Sequence, residues 1–207
     1  MNKVDTTEEA DYRDKIEIAE EADYRDKIEI TEEAKKLIIF IDSGDTIINE
    51  AEEIRNEHGI VIRAGMIEGA EETIWALYRA GYTLALVADG EEQSFLNIYA
   101  QNGLLHCFHT LTISEIVGEQ KPSAKMFEDA MRKNNLTGTD KHRIVMVGNN
   151  IKKDITGANR YGITSILLDW SPRYDMNPIT PEQIPDYIIH KPKELLPLIE
   201  ELNSSII

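Results

Sequence analysis

Cysteine, basic residues and long apolar runs are all scarce in this 207-residue chain. Cys107 is the only cysteine, which excludes an intrachain disulfide. It stands in the run Leu104-Leu105-His106-Cys107-Phe108, a setting that predicts a packed thiol and not a nucleophile. Lysine and arginine number 22 against 38 acids, a formal net charge of -16. That charge excludes nucleic-acid partners, because phosphate contacts need basic patches. An anionic membrane surface would repel the chain for the same reason. No apolar run approaches the roughly 20 residues of a spanning helix, and the first residues are acidic and polar, unlike a secretory signal. The length suits one domain with a sizeable core plus an appendage, in a cytoplasmic protein.

The appendage is the segment 1–34. Glu9 to Glu20 recurs almost verbatim as Glu21 to Glu32, with Thr31 in place of Ala19. Thirteen acids face five bases there, leaving -8, half of the chain's net charge. The 12-residue step would turn a helix by about 120°, so Tyr12 and Tyr24 cannot share one stripe. This predicts a duplicated acidic arm, helical or disordered, with a partner-binding helix as the alternative. It carries no catalytic signal. Residues 35–207 form the expected folded domain.

That domain is organised around Leu37-Ile38-Ile39-Phe40-Ile41-Asp42-Ser43-Gly44-Asp45-Thr46. Five apolar residues give way to Asp42 and a polar turn, as in a strand buried on both faces of a parallel sheet. Asp42 then stands at the strand's C-terminal end, where ligands bind in open α/β sheets. Gly44 lets the backbone approach a ligand closely. The plainer alternative is a strand followed by an ordinary turn. Further strands are predicted at 83–88, 109–113, 143–147, 164–168 and 187–189. Helices are predicted at 47–58, 68–79, 93–101, 123–134, 151–161 and 194–203, with a connector at 60–65 and a Pro-rich polar loop at 169–185. Alternating strands and helices imply an α/β fold, a Rossmann-like parallel sheet with helices on both faces.

Four stretches in order carry a resemblance: the Asp42 strand, Leu84-Ala85-Leu86-Val87-Ala88-Asp89-Gly90, Gly118-Glu119-Gln120-Lys121-Pro122, and Val147-Gly148-Asn149-Asn150 running on to Asp154 and Ala158. From about Lys35 to Asn203 the chain resembles the haloacid dehalogenase-like (HAD) superfamily, mostly phosphate-ester hydrolases working through an aspartyl-phosphate. The resemblance implies that Asp42 is the nucleophile and that Lys121 pairs with it and stabilises charge. It implies a Mg²⁺ site formed by Asp42, the Gly44 carbonyl, Asn149 and Asp154. It places Ala88, Asp89 and Gly90 at the substrate phosphate. Alone, Lys121 reads better as a solvated loop lysine, and Asp154 as an acid favoured by a helix N-terminus. Their joint occurrence with Asp42 favours the site.

Three departures from the family pattern bear on activity. The family's usual acid/base aspartate, two residues after the nucleophile, is Gly44 here, and an aspartate follows one residue later as Asp45. Asp45 is the candidate replacement, although adjacent residues point in different directions, and its plain role is capping the turn. Losing a positioned acid/base costs on the order of 10²- to 10⁴-fold. Ala88 removes a hydroxyl that would bond phosphate, and Asn149 removes one negative charge from the metal site.

Only 46 residues separate Asp42 from Ala88, and 33 more reach Lys121. Neither gap holds a full cap domain, so the cap is minimal or missing. The expected site is open to a small phosphorylated substrate or a larger phosphate ester, unless the 169–185 loop, the arm or another subunit of a homo-oligomer covers it. The function this implies is a Mg²⁺-dependent phosphatase with an atypical acid/base. The alternatives are a HAD-fold binding or regulatory module that no longer turns over, and a metal-free 2-haloacid dehalogenase. The last would need Arg55 or Arg63 to grip a carboxylate.

Overall fold

A computed structural model describes residues 36–206, so the expected arm at 1–34 lies outside the described residues. The first strand, β1 (Ile38–Ile41), is buried throughout. It divides its side chains between two cores, as alternation along a strand requires. Leu37, Ile39 and Ile41 enter one cluster, and Ile38 and Phe40 enter the other. Both faces of this strand are therefore dry, which accounts for an apolar run without polar interruption.

Two further strands flank it in parallel register. Ile41 stands opposite Leu86 of β4 (Thr83–Ala88) on one side and Val147 of β6 (Ile144–Gly148) on the other. With β5 (Thr110–Ile113), β7 (Thr164–Leu168) and β8 (Tyr187–Ile189), they form a six-stranded sheet ordered β5-β4-β1-β6-β7-β8. Every pairing in it is parallel. The chain runs outward from β1 to β4 and β5, then returns to the far side of β1 as β6. That reversal creates a topological switch point beside the C-terminal end of β1.

Helices cover both faces. Ile74 and Leu77 of α1 (Ala70–Arg79), Ile98 and Tyr99 of α2 (Glu92–Gln101) and Ile199 of the last helix (Leu195–Ser204) pack into the cluster containing Ile39 and Ile41. Met126, Phe127, Ala130 and Met131 of α3 (Ala124–Lys133) pack with Phe40 on the other face, joined by Ala158 of the short helix Thr156–Tyr161. The Rossmann-like architecture expected from the alternation of elements is the one observed. Cys107 is buried and free, and burial pushes its thiol pKa up.

The helix expected at 47–58 is not formed. Instead β2 (Ile48–Arg55) and β3 (Val61–Met66), the latter expected as a connector, make an antiparallel hairpin. The Glu- and Ala-rich composition of the stretch favours helix, but propensity is a weak prior that packing overrides. Ser43's carbonyl accepts the amides of Thr46, Ile47 and Ile48, folding the chain back at once and seating Ile47 and Ile48 in the core. At the far end the Asn56 side chain accepts the amides of His58 and Ile60. Gly59 takes a φ of 81°, a left-handed conformation that glycine adopts without steric cost. Asn56 to Gly59 is thus a hairpin turn and not a helix C-terminus.

Side chains of α2 hold β3 in place. Ser94 Oγ accepts the Val61 amide at 3.0 Å, and Asn97 and Gln101 donate to the Val61 and Ala64 carbonyls. The hairpin and α1 occupy the segment between β1 and β4, and no cap domain is inserted there.

Candidate functional site

The end of β1 places Asp42 above the sheet, its amide still bonded to the Val147 carbonyl at 2.9 Å. Lys121 reaches it from the loop preceding α3. Its Nζ donates to Asp42 Oδ1 at 2.6 Å and to the Val87 carbonyl at 2.7 Å, and lies 2.7 Å from Asp154 Oδ1. Thr46 Oγ1 donates to the other Asp42 oxygen at 3.2 Å. Burial pushes the Lys121 ammonium toward neutrality, but the carboxylates of Asp154, Asp42 and Asp89 outweigh it and hold its pKa above the ordinary lysine value. Lys121 therefore stays charged.

Asp154 arrives from the turn after β6. A π-type turn, Ile151–Ile155, is capped by Asn150 Oδ1, which accepts the amides of Lys152 and Lys153. Asp154 Oδ2 accepts the Asn150 amide at 3.0 Å. A Cβ on Gly148 would lie 2.3 Å from the Asp154 carboxyl carbon, so only glycine there admits the carboxylate. Burial pushes the Asp154 pKa up to about 7, against the pull of Lys121.

The second stretch contributes backbone and one carboxylate. Ala88 is buried. Asp89 Oδ1 accepts the Lys121 amide at 3.0 Å, and its Oδ2 pairs with Lys153 Nζ at 2.8 Å. The Gly90 amide donates to Ser114 Oγ at 2.9 Å.

Asp45 is buried and turned aside. It has a φ of 47°, and its carboxylate bonds Arg173 Nε, Ser171 Oγ and the Glu50 amide. Its carbonyl accepts Trp170 Nε1 at 2.6 Å. These contacts fasten the 169–185 loop to the first turn.

Sequence reasoning missed three participants at this end of the sheet. Glu50 lies over Gly44, and a Cβ on Gly44 would stand 1.9 Å from Glu50 Oε1. Burial, then the charges of Asp45 and Asp42 among others, raises the Glu50 pKa despite nearby Arg173. Arg173 and Lys153 are the other two. Helix assignment hid Glu50, and nothing in the local sequence announces the two basic partners.

Mg²⁺ takes hard oxygens and binds through one or two carboxylates, with waters and substrate oxygens completing its shell. Among the described residues no three His, Cys, Asp or Glu side chains cluster to hold a metal. Asp42, Asp154, the Asn149 amide and the Gly44 carbonyl nevertheless make an all-oxygen set with two carboxylates. The Asn149 side chain is buried; its Oδ1 is the atom that would ligate, while its Nδ2 is a donor without a hydrogen-bond partner among the described residues. The set fits Mg²⁺, with one charge fewer than three carboxylates would give.

A family profile described as haloacid dehalogenase-like hydrolase matches residues 4–168. The chain belongs to this family. The match starts within the segment 1–34, before the repeat and ahead of the span over which the motifs carry the resemblance, and stops at the end of β7. Among curated relatives of this HAD chain, a glyceraldehyde 3-phosphate phosphatase from Methanopyrus kandleri is 34% identical over 130 residues, 63% of this chain and 54% of the relative. A pyrimidine 5'-nucleotidase from Streptococcus pneumoniae is 27% identical over 65% of this chain and 54% of its own length. The HAD chain thus spans about half the length of the curated relatives it matches. A solved structure of a putative HAD-hydrolase from Bacillus subtilis, bound to magnesium, superposes with a TM-score of 0.64 at 18% identity, covering 79% of this chain and 98% of that one. At that identity the likeness shows the fold.

Proposed function

We propose that the chain hydrolyses phosphate monoesters through a phosphoryl group carried transiently on Asp42. The observation that carries this reading is the buried Lys121 ammonium, 2.6 Å from Asp42 Oδ1 and 2.7 Å from Asp154 Oδ1. A carboxylate at a strand end attacks an anionic phosphate only if positive charge is already in place, and Lys121 supplies it without reorganisation. Asp42 Oδ attacks phosphorus, the bond to the ester oxygen breaks, and the alcohol leaves. Water then attacks the same phosphorus and releases Asp42 and inorganic phosphate. Mg²⁺ held by Asp42, Asp154, Asn149 and the Gly44 carbonyl would neutralise charge on the phosphoryl oxygens.

The relatives named as phosphatases and nucleotidases support the phosphate-ester class. A dehalogenase that grips a carboxylate finds no buried arginine among the described residues. Arg55 and Arg63 are exposed on the hairpin, and Arg173 is committed to Asp45.

The test is phosphate release from p-nitrophenyl phosphate and a panel of small phosphate monoesters, with and without Mg²⁺. Turnover that needs Mg²⁺ and disappears in Asp42→Asn is expected. A folded protein with no turnover above that variant would move the reading to a binding module.

A further inference from the structure

We propose that Glu50, from the hairpin and not from the strand end, is the proton-transfer residue of this reaction; the inference rests on the phosphatase reading above. Breaking the ester bond leaves an alkoxide that needs a proton, and the second step needs a base to take one from water. The other carboxylates around Asp42 are committed. Asp154 is held by Lys121 and the Asn150 amide. Asp89 is held by the Lys121 amide and Lys153. Asp45 is held by Arg173, Ser171 and the Glu50 amide. Position 44 has no side chain at all.

Glu50 fills that vacancy in space. Its Oε1 sits 1.9 Å from the point where a Gly44 Cβ would be, so its carboxyl occupies the volume of a side chain two residues beyond the nucleophile. Among the described residues its Oε2 meets only Arg173 Nε, at 3.5 Å, and the side chain is 31% exposed, open to water. Its backbone is held from the turn and the start of the strand before it. The Glu50 amide donates to Asp45 Oδ1 at 3.1 Å, while Ile48 pairs with Met66 of the strand docked on α2. Asp45 is then a positioning residue for Glu50.

The proton balance closes over both steps. As Asp42 Oδ bonds phosphorus and the ester P–O bond breaks, the leaving oxygen keeps the bonding pair and takes the proton of the Glu50 carboxyl. The Glu50 carboxylate then takes a proton from water as the water oxygen attacks phosphorus and the Asp42 Oδ–P bond breaks. The products are alcohol, inorganic phosphate, the Asp42 carboxylate and protonated Glu50.

The test compares wild type, Glu50→Gln and Asp42→Asn on p-nitrophenyl phosphate, whose leaving group needs no proton, and on an alkyl phosphate. Glu50→Gln should keep the pre-steady-state burst of p-nitrophenol and lose steady-state turnover by on the order of 10²- to 10⁴-fold. With the alkyl phosphate the burst should fall too. Turnover equal to wild type on both substrates would overturn the assignment. If the burst also vanishes with p-nitrophenyl phosphate, the variant Gly44→Asp/Glu50→Ala decides, since it puts a carboxylate at position 44 without the clash. Turnover above that of Glu50→Ala supports the assignment, and none overturns it. A wild type without Asp42-dependent turnover would instead overturn the phosphatase reading itself, and the role of Glu50 with it.

Discussion

Lys121 Nζ and Asp154 Oδ1 lie 2.7 Å apart with both side chains 1% exposed, a buried ion pair that also holds Asp42. Replacing Lys121 by methionine would leave two carboxylates facing each other without a cation. Removing one partner of a buried pair costs about 3–5 kcal/mol, and urea unfolding of Lys121→Met should show a loss of that order. A change below about 1 kcal/mol would mean that water screens the pair.

The raised pKa of Asp154 has a consequence for pH. Between its ordinary value of 3.8 and the folded value of about 7, the folded state binds the proton more tightly than the unfolded one. Stability from this group therefore falls as pH rises through that window. Asp154→Asn, which cannot ionise, escapes the loss. The urea midpoint of the variant should gain on wild type between about pH 4 and about pH 8, measured with chelator present. A difference that moves the other way would show that Lys121 keeps the carboxylate ionised throughout.

Gly44 is not among the positive-φ glycines, so its backbone accepts alanine. The added methyl meets the flexible end of Glu50 and must push the carboxylate away. Stability should change by about 0.5 kcal/mol or less, while turnover falls. In a Glu50→Ala background the same change should have no further effect, the signature of two coupled positions. Independent losses in the two backgrounds would separate Gly44 from Glu50.

Arg173 holds the buried Asp45 carboxylate from the 169–185 loop. Arg173→Ala leaves that carboxylate with the Glu50 amide and the Ser171 hydroxyl only. Leaving a buried polar group short of a partner costs about 1–3 kcal/mol, read as a lower denaturation midpoint. An unchanged midpoint would show that the loop's other ties, Trp170 to the Asp45 carbonyl and Asn159 and Arg160 to Glu182 among them, make up for the loss.

The parallel sheet was legible because its strands are buried on both faces. Thr83 to Ala88, Thr164 to Leu168 and Tyr187 to Ile189 fall where the apolar runs predict them. Strand ends on a parallel sheet converge by topology, and Asp42, Lys121 and Asp154 meet despite their separation along the chain. The hairpin was not legible, since Glu-Ala-Glu-Glu favours helix locally and the tie from Ser43 and the docking on α2 are tertiary. Misreading that element hid Glu50. It also left Asp45 as the candidate acid/base, although its contact with Arg173 comes from a loop more than 120 residues away and its contact with the Glu50 amide from the hairpin itself.

The central claim, a phosphoryl group on Asp42, is tested most directly by acid-quenching the protein during turnover of p-nitrophenyl phosphate and mapping the label by mass spectrometry. The account predicts phosphorylation on the peptide containing Asp42, accumulating further in Glu50→Gln and missing in Asp42→Asn. Turnover with no label on that peptide, or a label that survives in Asp42→Asn, would contradict it.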